Sequence, residues 1–485
     1  MTLTIVGLGP GSPDDLSRRA WRALEQAQMI YLRTAQHGCA AHLPQGPDKH
    51  YHSFDELYES LDDFEAVYAM IARQLLAVAR LGAVVYCVPG DPLVGEATTT
   101  RLLAEAKQAG VAVEIVNGIS FVEPTLRLLE IDALDGLQVL DALALAAMHH
   151  PPINPDYPAL LGQVYSRGAA SEVKLTLMNQ YPDDFPVALV HAAGTDAALV
   201  ERLPLYEIDR SARIGHMTAL YVPALGQMAS FEQFQEIIAH LRAPEGCPWD
   251  REQTHESLRQ YLIEEAYEVL EAIDQGDTAA LAGELGDLLL QIVLHAQIAT
   301  EDGDFTMPDV LRLINAKMIR RHPHVWGDVD VAGSPERVVS NWEALKRQEK
   351  ADNGAGDASA LDSIPKALPA LLQAHQYQAR AAKANFDWPV VDEVVAKFKE
   401  ELAELEAAAT DAERAEELGD LLFVLVNWAR WLKIEPEGAL RAANAKFYRR
   451  FRYVEQGVAA AGRAMTDCTL AELDALWDEA KARGV

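Results

Sequence analysis

Cysteine is scarce in this sequence. The chain has 485 residues but only four cysteines, and no two of them have C-x-x-C spacing. This distribution excludes a disulfide-rich fold and is typical of a reducing compartment. We therefore expect a cytoplasmic protein.

Long apolar segments are also missing. No apolar run approaches the ~20 residues that a membrane-spanning helix needs. Residues 1–8 are short and strand-like, and no basic region precedes an apolar stretch. We expect neither a membrane span nor a secretory signal.

Positive charge is in deficit. Lys and Arg number 42 against 73 Asp and Glu, which gives a formal net charge of −31. A surface of this sign repels nucleic-acid backbones and anionic membranes, so we expect no nucleic-acid or membrane partner. A phosphate-bearing substrate remains compatible, because divalent cations can bridge carboxylates to phosphates.

The chain is long enough for about three domains of roughly 100–200 residues. About the first 220 residues alternate strand-like and helical stretches, which indicates an α/β fold. The predicted strands are residues 2–8, 83–88, 111–116, 187–192 and 218–222. From about Ser230 apolar residues recur at helical spacing, which predicts an all-α remainder. The predicted helices there are residues 258–273, 281–298, 310–321, 369–384, 390–408, 412–432, 436–461 and 469–483. Residues 350–363, rich in Asp, Gly, Ala and Ser, are interpreted as a linker.

Three short elements occur twice in the helical part, in the same order. They are Glu264-Glu265-Ala-Tyr-Glu268 with Glu400-Glu401-Leu-Ala-Glu404, Glu284-Leu-Gly-Asp287 with Glu417-Leu-Gly-Asp420, and Asn315-Ala-Lys317-Met-Ile-Arg320-Arg321 with Asn444-Ala-Lys446-Phe-Tyr-Arg449-Arg450. The offsets are 136, 133 and 129 residues, so the copies differ by short deletions. Both copies keep a glycine inside a helix, where it costs up to ~1 kcal/mol relative to alanine. A single acidic cluster is usually a solvated face, and a duplicated structural bundle remains the alternative interpretation.

The spacing of the acids places them in pairs on helix faces. Residues three apart share one face, so Glu265 lies beside Glu268 and Glu284 beside Asp287. Two such helices packed antiparallel bring four carboxylates together, and the resulting repulsion is relieved by a hard cation such as Mg²⁺ or Mn²⁺. A di-iron carboxylate bundle would need Glu-x-x-His pairs, which neither acidic repeat contains.

The third repeated element is basic. Its cations suit a polyphosphate held at a carboxylate–metal pocket, where they stabilise the charge on a leaving phosphate. The candidate residues are Lys317, Arg320, Arg321, Lys446, Arg449 and Arg450. Lys397 is a further candidate phosphate contact in the second copy. Each of these residues taken alone is more often an ordinary surface charge.

These motifs resemble the MazG family of all-α nucleoside triphosphate pyrophosphohydrolases over roughly residues 230–485. The resemblance extends to Cys247-Pro-Trp249-Asp250, Arg321-His-Pro-His324-Val and Asn341-Trp342-Glu343. It implies Mg²⁺-dependent hydrolysis of nucleoside triphosphates to monophosphate and pyrophosphate by a helical homodimer. The implied metal ligands are Glu265, Glu268, Glu284 and Asp287 in the first copy and Glu401, Glu404, Glu417 and Asp420 in the second.

Two further assignments follow from this resemblance. Glu264 and Glu400 are interpreted as bases or as groups that support the ligands. Trp477 either stacks on a nucleotide base or packs in the core. The copies are unequal, because His322-Pro-His324 is replaced by Phe451-Arg452-Tyr453. Whether both copies turn over is therefore left open.

The N-terminal part resembles the tetrapyrrole (corrin/porphyrin) methylase family. The motifs are Ile5-Val-Gly7-Leu-Gly9-Pro-Gly11, Pro89-Gly90-Asp91-Pro92 and Val116-Asn117-Gly118-Ile-Ser120, each at a strand end. The resemblance implies an S-adenosylmethionine cleft. The implied cofactor contacts are Gly9, Gly11, Gly90, Asp91, Pro92, Asn117 and Gly118. Glycine turns permit close approach of a ligand, and strand carboxyl ends are the binding edge of an open α/β sheet. Residues 141–166 do not match this family's pattern.

The combined prediction is a multidomain protein. An S-adenosylmethionine-binding α/β domain (1–225) precedes a first MazG-type helical repeat (226–350), a linker (351–365) and a second repeat (366–485). The expected activity is nucleoside triphosphate pyrophosphohydrolysis. One alternative is a methyltransferase whose helical part is a dimerisation scaffold, and another is a nonenzymatic binding protein.

Overall fold

The computed structural model describes residues 2–61, 63–226, 228–352 and 359–485. The chain divides into two compact units, Met1–Arg312 and Leu313–Val485. The strands of the described residues lie in the first unit, and the second unit is helical.

The strands alternate with helices as far as residue 222, and helices follow from there. The strands are β1 (Thr2–Gly7), β2 (Met29–Leu32), β3 (His50–Ser53), β4 (Val84–Val88), β5 (Ala112–Val116), β6 (Gln138–Asp141), β7 (Ala159–Gly162), β8 (Pro186–His191), β9 (Leu199–Pro204) and β10 (Thr218–Val222). The helices of the α/β part are α1 (Arg18–Gln26), α2 (Asp55–Ser60), α3 (Phe64–Ala79), α4 (Ala97–Ala109), α5 (Val122–Leu129), α6 (Ala142–Ala146) and α7 (Arg167–Leu177). The later helices are α8 (Phe231–Arg242), α9 (Pro248–Glu252), α10 (Arg259–Gln275), α11 (Thr278–Asp302), α12 (Met307–Arg321), α13 (Pro323–Trp326), α14 (Pro335–Asp352), α15 (Ala370–Lys383), α16 (Val391–Ala407), α17 (Asp411–Trp431), α18 (Pro436–Ala460) and α19 (Leu470–Ala482).

The first sheet is parallel, with the strand order β3-β2-β4-β1-β5. Its central strand β4 is buried at every residue, as expected where helices cover both faces of a parallel sheet. Leu3, Ile5 and Tyr86 pack on one face, and Val6 and Cys87 pack on the other. The carboxyl ends of β1, β4 and β5 therefore meet at one edge of the sheet, where their loops can form a ligand cleft.

The second sheet is mixed, with the order β6-β7-β10-β8-β9. Strand β10 runs antiparallel to both β7 and β8, while β6 and β7 are parallel. Segment 141–166, for which the sequence motifs gave no family match, contains α6 and β7 of this part. The α/β architecture predicted for the N-terminal region is confirmed.

The residues just before helix α8 are hydrogen-bonded to a carboxylate of the α/β part. The backbone N–H groups of Ala229 and Ser230 donate to Asp156 at 2.8 and 3.0 Å. The Ser230 hydroxyl then caps α8 by accepting from the Gln233 N–H at 3.1 Å. The helical region thus starts from a hydrogen-bonded junction, close to the predicted boundary at 225.

Two helical hairpins follow the same plan. Helix α10 ends at Gly276, which has a left-handed backbone conformation with φ of 68°. The side chain of the next residue, Asp277, caps the N-terminus of α11. Helix α17 begins with a capping box, in which Thr410 and Glu413 bond to each other's backbone N–H groups. Helix α10 packs on α11, and α16 packs on α17. The helical character predicted for the C-terminal region is confirmed.

One helix of the described residues, α11, is long and apolar enough to cross a membrane by length and composition. Its most apolar window has a mean hydropathy of 1.3, and 22% of that window is buried. Core helices of soluble proteins pass the same test, so this is weak evidence. Glu284 and Asp287 interrupt the apolar sequence of α11, so this helix does not contradict the expectation that no uninterrupted apolar run approaches the length of a membrane span.

The predicted linker is described only in part. Helix α14 extends through Asp352, so the first residues of segment 350–363 are helical. Residues 353–358 lie outside the described part of the chain. The domain boundaries at 350 and 365 remain predictions.

Candidate metal and phosphate sites on two helical hairpins

The α10–α11 hairpin brings together acids that are far apart in sequence. Ligand oxygens of Glu265, Glu268 and Glu284 all lie within 4.8 Å of one another. Glu265 and Glu268 share a face of α10, and Glu284 faces them from α11 because the hairpin folds the two helices side by side. Three of the four predicted ligands of the first copy are thus one cluster.

The electrostatics of this first cluster show that the fourth predicted ligand is close. Burial and then the charges of Asp287, Glu268 and Glu264 raise the pKa of Glu265. Burial and then Glu268 and Asp287 raise the pKa of Glu284. Carboxylates that raise one another's pKa in this way are stabilised by an added cation. Glu264, predicted to act as a base or to support the ligands, is exposed beside Glu265.

The α16–α17 hairpin repeats the arrangement. Ligand oxygens of Glu401, Glu417 and Asp420 lie within 4.8 Å of one another. Burial, followed by the charges of Glu404, Glu401 and Asp420, raises the pKa of Glu417. Glu401 is the most enclosed of the set, at 5% exposure. All four acids predicted for the second copy are therefore close enough to act on one another.

A lysine distinguishes the second cluster from the first. The Lys397 ammonium contacts Glu400 at 2.8 Å and Glu401 at 2.7 Å. Hydrogen bonds to these two carboxylates raise the pKa of Lys397 above its ordinary value. The repeat offset of 136 residues places Tyr261 at the equivalent position of the first copy. At this position the second copy therefore has a cation beside its carboxylates, whereas the first copy has a tyrosine.

The basic residues of the first copy form an ion-pair group. Arg320 and Arg321 both contact the Glu349 carboxylate, at 2.8 and 2.6 Å. Hydrogen bonds from Arg321, and then from Arg320, lower the pKa of Glu349 to about 2. Lys317 is exposed on the same helix. These residues belong to the second compact unit, whereas the first acidic cluster belongs to the first unit.

The basic residues of the second copy lie along α18. Arg450 donates to the Val485 carbonyl oxygen at 2.9 Å, and its guanidinium lies 5.9 Å from the centre of the Trp477 ring. Phe447 packs on the same tryptophan, with ring centroids 5.2 Å apart. Lys446 and Arg449 are exposed. The half-buried Trp477 is thus held by an arginine and a phenylalanine of α18.

A fourth repeated element was missed by the sequence reasoning. Trp342 and Lys346 of α14 match Trp477 and Lys481 of α19 as Trp-x-x-x-Lys. In the first copy the Arg321 guanidinium lies 5.3 Å from the Trp342 ring centre, which parallels Arg450 over Trp477. The shared Trp-x-x-x-Lys spacing is the signal that reveals this element. Glu349 had no such signal, because its role depends on ion pairs that join α14 to α12.

The predicted cofactor turns are brought together in the α/β part. Gly9 and Gly90 form a β-bridge, with the Gly9 N–H donating to the Gly90 carbonyl at 3.2 Å. The Asp91 carboxylate accepts from the Asn117 side chain at 3.1 Å and from the Gly118 N–H at 3.2 Å. A Cβ on Gly118 would lie 2.3 Å from the Gly90 carbonyl oxygen, so this junction admits only glycine there. Pro92 follows in the same turn, and Gly11, with φ of 146°, lies in the loop after β1.

The donor sets of both acidic clusters suit a hard divalent cation. The predicted ligands are carboxylate oxygens, which favour Mg²⁺ or Mn²⁺ over zinc. The ligand oxygens of each cluster lie within 4.8 Å of one another, and burial together with the neighbouring carboxylates raises the pKa of Glu265, Glu284 and Glu417, so a cation would relieve this repulsion. The residues present therefore fit such an ion.

Comparisons with known proteins identify the family of the helical part of the chain. The profile of the MazG nucleotide pyrophosphohydrolase domain matches residues 253–326. The nucleoside triphosphate pyrophosphohydrolase/pyrophosphatase MazG of Thermotoga maritima is 47% identical over 52% of this chain and 95% of its own length. The chain belongs to the MazG family.

The MazG-family chain also carries an additional N-terminal domain. The profile of the tetrapyrrole (corrin/porphyrin) methylases matches residues 2–209. An uncharacterized protein, YabN of Bacillus subtilis, is 43% identical over 99% of this chain and 98% of its own length, so it shares the whole arrangement. The crystal structure of uroporphyrin-III-C-methyltransferase from Thermus thermophilus covers 46% of this chain and 93% of its own, at 21% identity and a TM-score of 0.37. The fusion of a methylase-type domain to a MazG hydrolase, expected from the motifs, is confirmed.

Proposed function

We propose that this MazG-family protein hydrolyses nucleoside triphosphates to nucleoside monophosphate and pyrophosphate with Mg²⁺. The observation that carries the proposal is the pair of carboxylate clusters on equivalent helical hairpins. The name of the Thermotoga maritima relative supports the same reaction class.

Each residue set has a proposed task. The cation, when bound, polarises the phosphoanhydride and lowers the pKa of the attacking water. Glu265, Glu268, Glu284 and Asp287 hold it in the first copy, and Glu401, Glu404, Glu417 and Asp420 hold it in the second. Glu264 and Glu400 accept the proton of the attacking water or support the ligands. The basic side chains, namely Lys317, Arg320, Arg321, Lys397, Lys446, Arg449 and Arg450, bind the phosphates, and Trp477 contacts the nucleotide.

The second repeat is part of the proposal. The parallel contacts of Arg321 with Trp342 and of Arg450 with Trp477 support a duplication that covers residues 226–350 and 366–485. The exposed apolar residues of α10, α11 and α17 support a homodimer, because such surfaces mark association sites. The four cysteines, all free, are compatible with the cytoplasm.

A second candidate function belongs to the N-terminal domain. We infer that it binds S-adenosylmethionine at the turns of Gly9, Gly90 and Gly118. The observation that favours it is the set of contacts from Asp91 to Asn117 and Gly118, which holds two strand-end loops at one sheet edge. Calorimetric titration of the full chain with S-adenosylmethionine tests this function, and absence of binding would remove it.

A nucleotide panel tests the leading proposal. The full chain incubated with Mg²⁺ and each of several nucleoside triphosphates should release pyrophosphate; orthophosphate as the only product would refute the assignment. Glu265→Gln combined with Glu401→Gln should abolish turnover, because both cation sites lose a ligand. A matched control combines Glu252→Gln with Glu406→Gln, two exposed acids outside the clusters. Unchanged activity in the first double variant would contradict the proposed ligand roles, and comparing the two single variants assigns turnover to a repeat.

A further inference from the structure

A histidine in the loop after β2 contacts the first glycine turn of the parallel sheet. The half-buried His37 ring lies 3.0 Å from the Gly9 carbonyl oxygen through Nε2 and 3.0 Å from Cys39 Sγ through Nδ1. Cys39 itself is fully buried. Both ring nitrogens of His37 therefore have partners inside the protein, although none of the sequence motifs includes this residue.

The chemistry of these partners decides which ring nitrogen of His37 carries the proton. A carbonyl oxygen only accepts hydrogen bonds, so Nε2 is the N–H donor to Gly9. Burial lowers the pKa of His37 and raises the pKa of the Cys39 thiol to about 11, so at pH 7 the ring is neutral and the thiol is protonated. The Cys39 S–H then donates to Nδ1, and this bond holds the imidazole in the tautomer that Gly9 requires.

The Gly9 carbonyl oxygen accepts two hydrogen bonds. The Gly90 N–H donates to it at 2.8 Å across the β-bridge, and His37 Nε2 donates to it from the loop after β2. A carbonyl oxygen has two lone pairs, so both of them are used. His37 therefore ties the loop after β2 to the loops after β1 and β4, at the carboxyl edge of the sheet.

The residue after His37 brings the same loop against the rest of the glycine turn. A Cβ on Gly38 would lie 2.7 Å from the Gly11 carbonyl oxygen, so the two backbones approach each other closely. Gly9 and Gly11 have φ of 75° and 146°, and glycine adopts such conformations only as part of a broad range. Segment 37–39 therefore restricts both glycines of a turn that has little conformational preference of its own.

We propose that His37 is a positioning residue for S-adenosylmethionine, because it holds the Gly9–Gly11 turn in the conformation that binds the cofactor. This proposal rests on the cofactor role inferred above for that turn. A turn that loses one of its hydrogen bonds spends less time in the binding conformation, and the apparent affinity falls by the same fraction. Loss of one hydrogen bond corresponds to roughly a fivefold change.

Two amide side chains distinguish the two ring nitrogens of His37. The amide of glutamine reaches as far as Nε2 of histidine, whereas that of asparagine reaches only as far as Nδ1. His37→Gln should therefore keep the bond to Gly9 and a near-wild-type affinity for S-adenosylmethionine, while His37→Asn should bind it about three- to tenfold more weakly. His42→Asn is the matched control, because His42 is exposed in the same loop. Calorimetric titration of the full chain measures these affinities.

Hydrogen exchange gives a second readout that needs no cofactor. In His37→Asn the N–H groups of Gly9 and Gly90 should exchange faster, because the β-bridge between them loses the support of the ring. His37→Gln and His42→Asn should exchange as the wild type does. If His37→Asn does not fold, Cys39→Ala serves instead, since without the S–H donor the ring is no longer held in the required tautomer and the affinity should also fall.

The outcomes separate this proposal from the cofactor role. If the wild type binds S-adenosylmethionine and His37→Asn and Cys39→Ala bind it equally well, the positioning role of His37 is wrong and the cofactor role stands. Equal weakening in His37→Gln and His37→Asn, or unchanged exchange at Gly9 and Gly90, overturns the positioning role in the same way. A wild-type chain that binds no S-adenosylmethionine overturns the cofactor role and this proposal with it.

Discussion

The Glu349 carboxylate lies between two arginines that the sequence assigns to phosphate binding. It bonds to Arg320 at 2.8 Å and to Arg321 at 2.6 Å, and Arg321 also lies over Trp342. A carboxylate held by two guanidinium groups resembles the way that arginines hold a phosphate. The Glu349 side chain of α14 therefore links this helix to α12 through two ion pairs within the second unit, and we call this contact the Glu349 anchor.

This anchor has a pH dependence. Arginine hydrogen bonds hold the pKa of Glu349 at about 2, below its ordinary value of 4.5. A lowered folded-state pKa stabilises the fold above pH 4.5, and the contribution is lost as the pH falls towards 2. Glu349→Gln should therefore lower the melting temperature at pH 7 by about 2–4 °C, the shift that ~1 kcal/mol produces in a unit of this size.

Calorimetric melting curves at pH 7 and pH 3 check this expectation. The difference between wild type and Glu349→Gln should shrink at the lower pH, because below pH 4.5 the unfolded wild-type chain takes up a proton at Glu349 and part of the stabilisation is lost. Asp474→Asn, at an exposed acid of α19, serves as the control. A variant difference of equal size at both pH values would contradict the proposed anchor.

At the scale of helices and strands, prediction succeeded where a local signal was strong. Apolar periodicity located α10, α11, α16 and α17. Residues with clear capping roles, such as Thr410, mark where these helices begin or end. Strands β2 and β3 have four residues each, and their placement depends on sheet neighbours that the sequence does not reveal. Helix α14 was missed because its pattern of charged residues resembles a solvated segment.

The acidic clusters were predictable, and the contact between Arg33 and Glu96 was not. Acids at i and i+3, repeated in both copies, indicate a shared pocket even before the hairpin is known. Arg33 follows β2 and Glu96 precedes α4, so no local spacing in the sequence connects the two partners of this ion pair. The contact of Lys397 with Glu400 and Glu401 could be predicted only in part. The helical spacing of these residues is visible in the sequence, but their pairing depends on the directions of the side chains.

The glycine junction of the first sheet provides a test at this scale. Gly118→Ala would place a Cβ 2.3 Å from the Gly90 carbonyl oxygen and 2.8 Å from the Gly7 carbonyl carbon. The loops must then move apart, at a cost of about 1–3 kcal/mol, and the affinity for S-adenosylmethionine should fall. Gly82→Ala is the matched control, because nothing lies within 4 Å of its added Cβ. Calorimetric titration and thermal melting measure both effects; equal behaviour of the two variants would contradict the tight junction.

At the scale of the whole molecule, charge is the dominant feature. The formal net charge of −31 opposes the approach of an anionic nucleotide, although the basic residues of α12 and α18 attract it locally. Salt screens long-range repulsion between exposed charges, with a Debye length of about 30 Å at 0.01 M and about 8 Å at 0.15 M. Raising the ionic strength over this range should therefore increase kcat/KM for nucleoside triphosphates by about twofold or more.

Steady-state kinetics at constant free Mg²⁺ measure this response. An uncharged crowding agent at matched viscosity controls for effects unrelated to charge. A kcat/KM that falls with added salt would show that local attraction by the basic residues outweighs the field of the whole protein.

The crowding of carboxylates on the two hairpins has a consequence for the lifetime of the protein. A chain whose folded state gathers acids that repel one another gains stability from every divalent ion it binds. A cell depleted of such ions would hold a looser protein, and proteases preferentially degrade chains that open. The supply of divalent ions would then set the amount of the protein in the cell as well as its activity. Depletion of these ions would lower the protein's abundance in addition to inhibiting it.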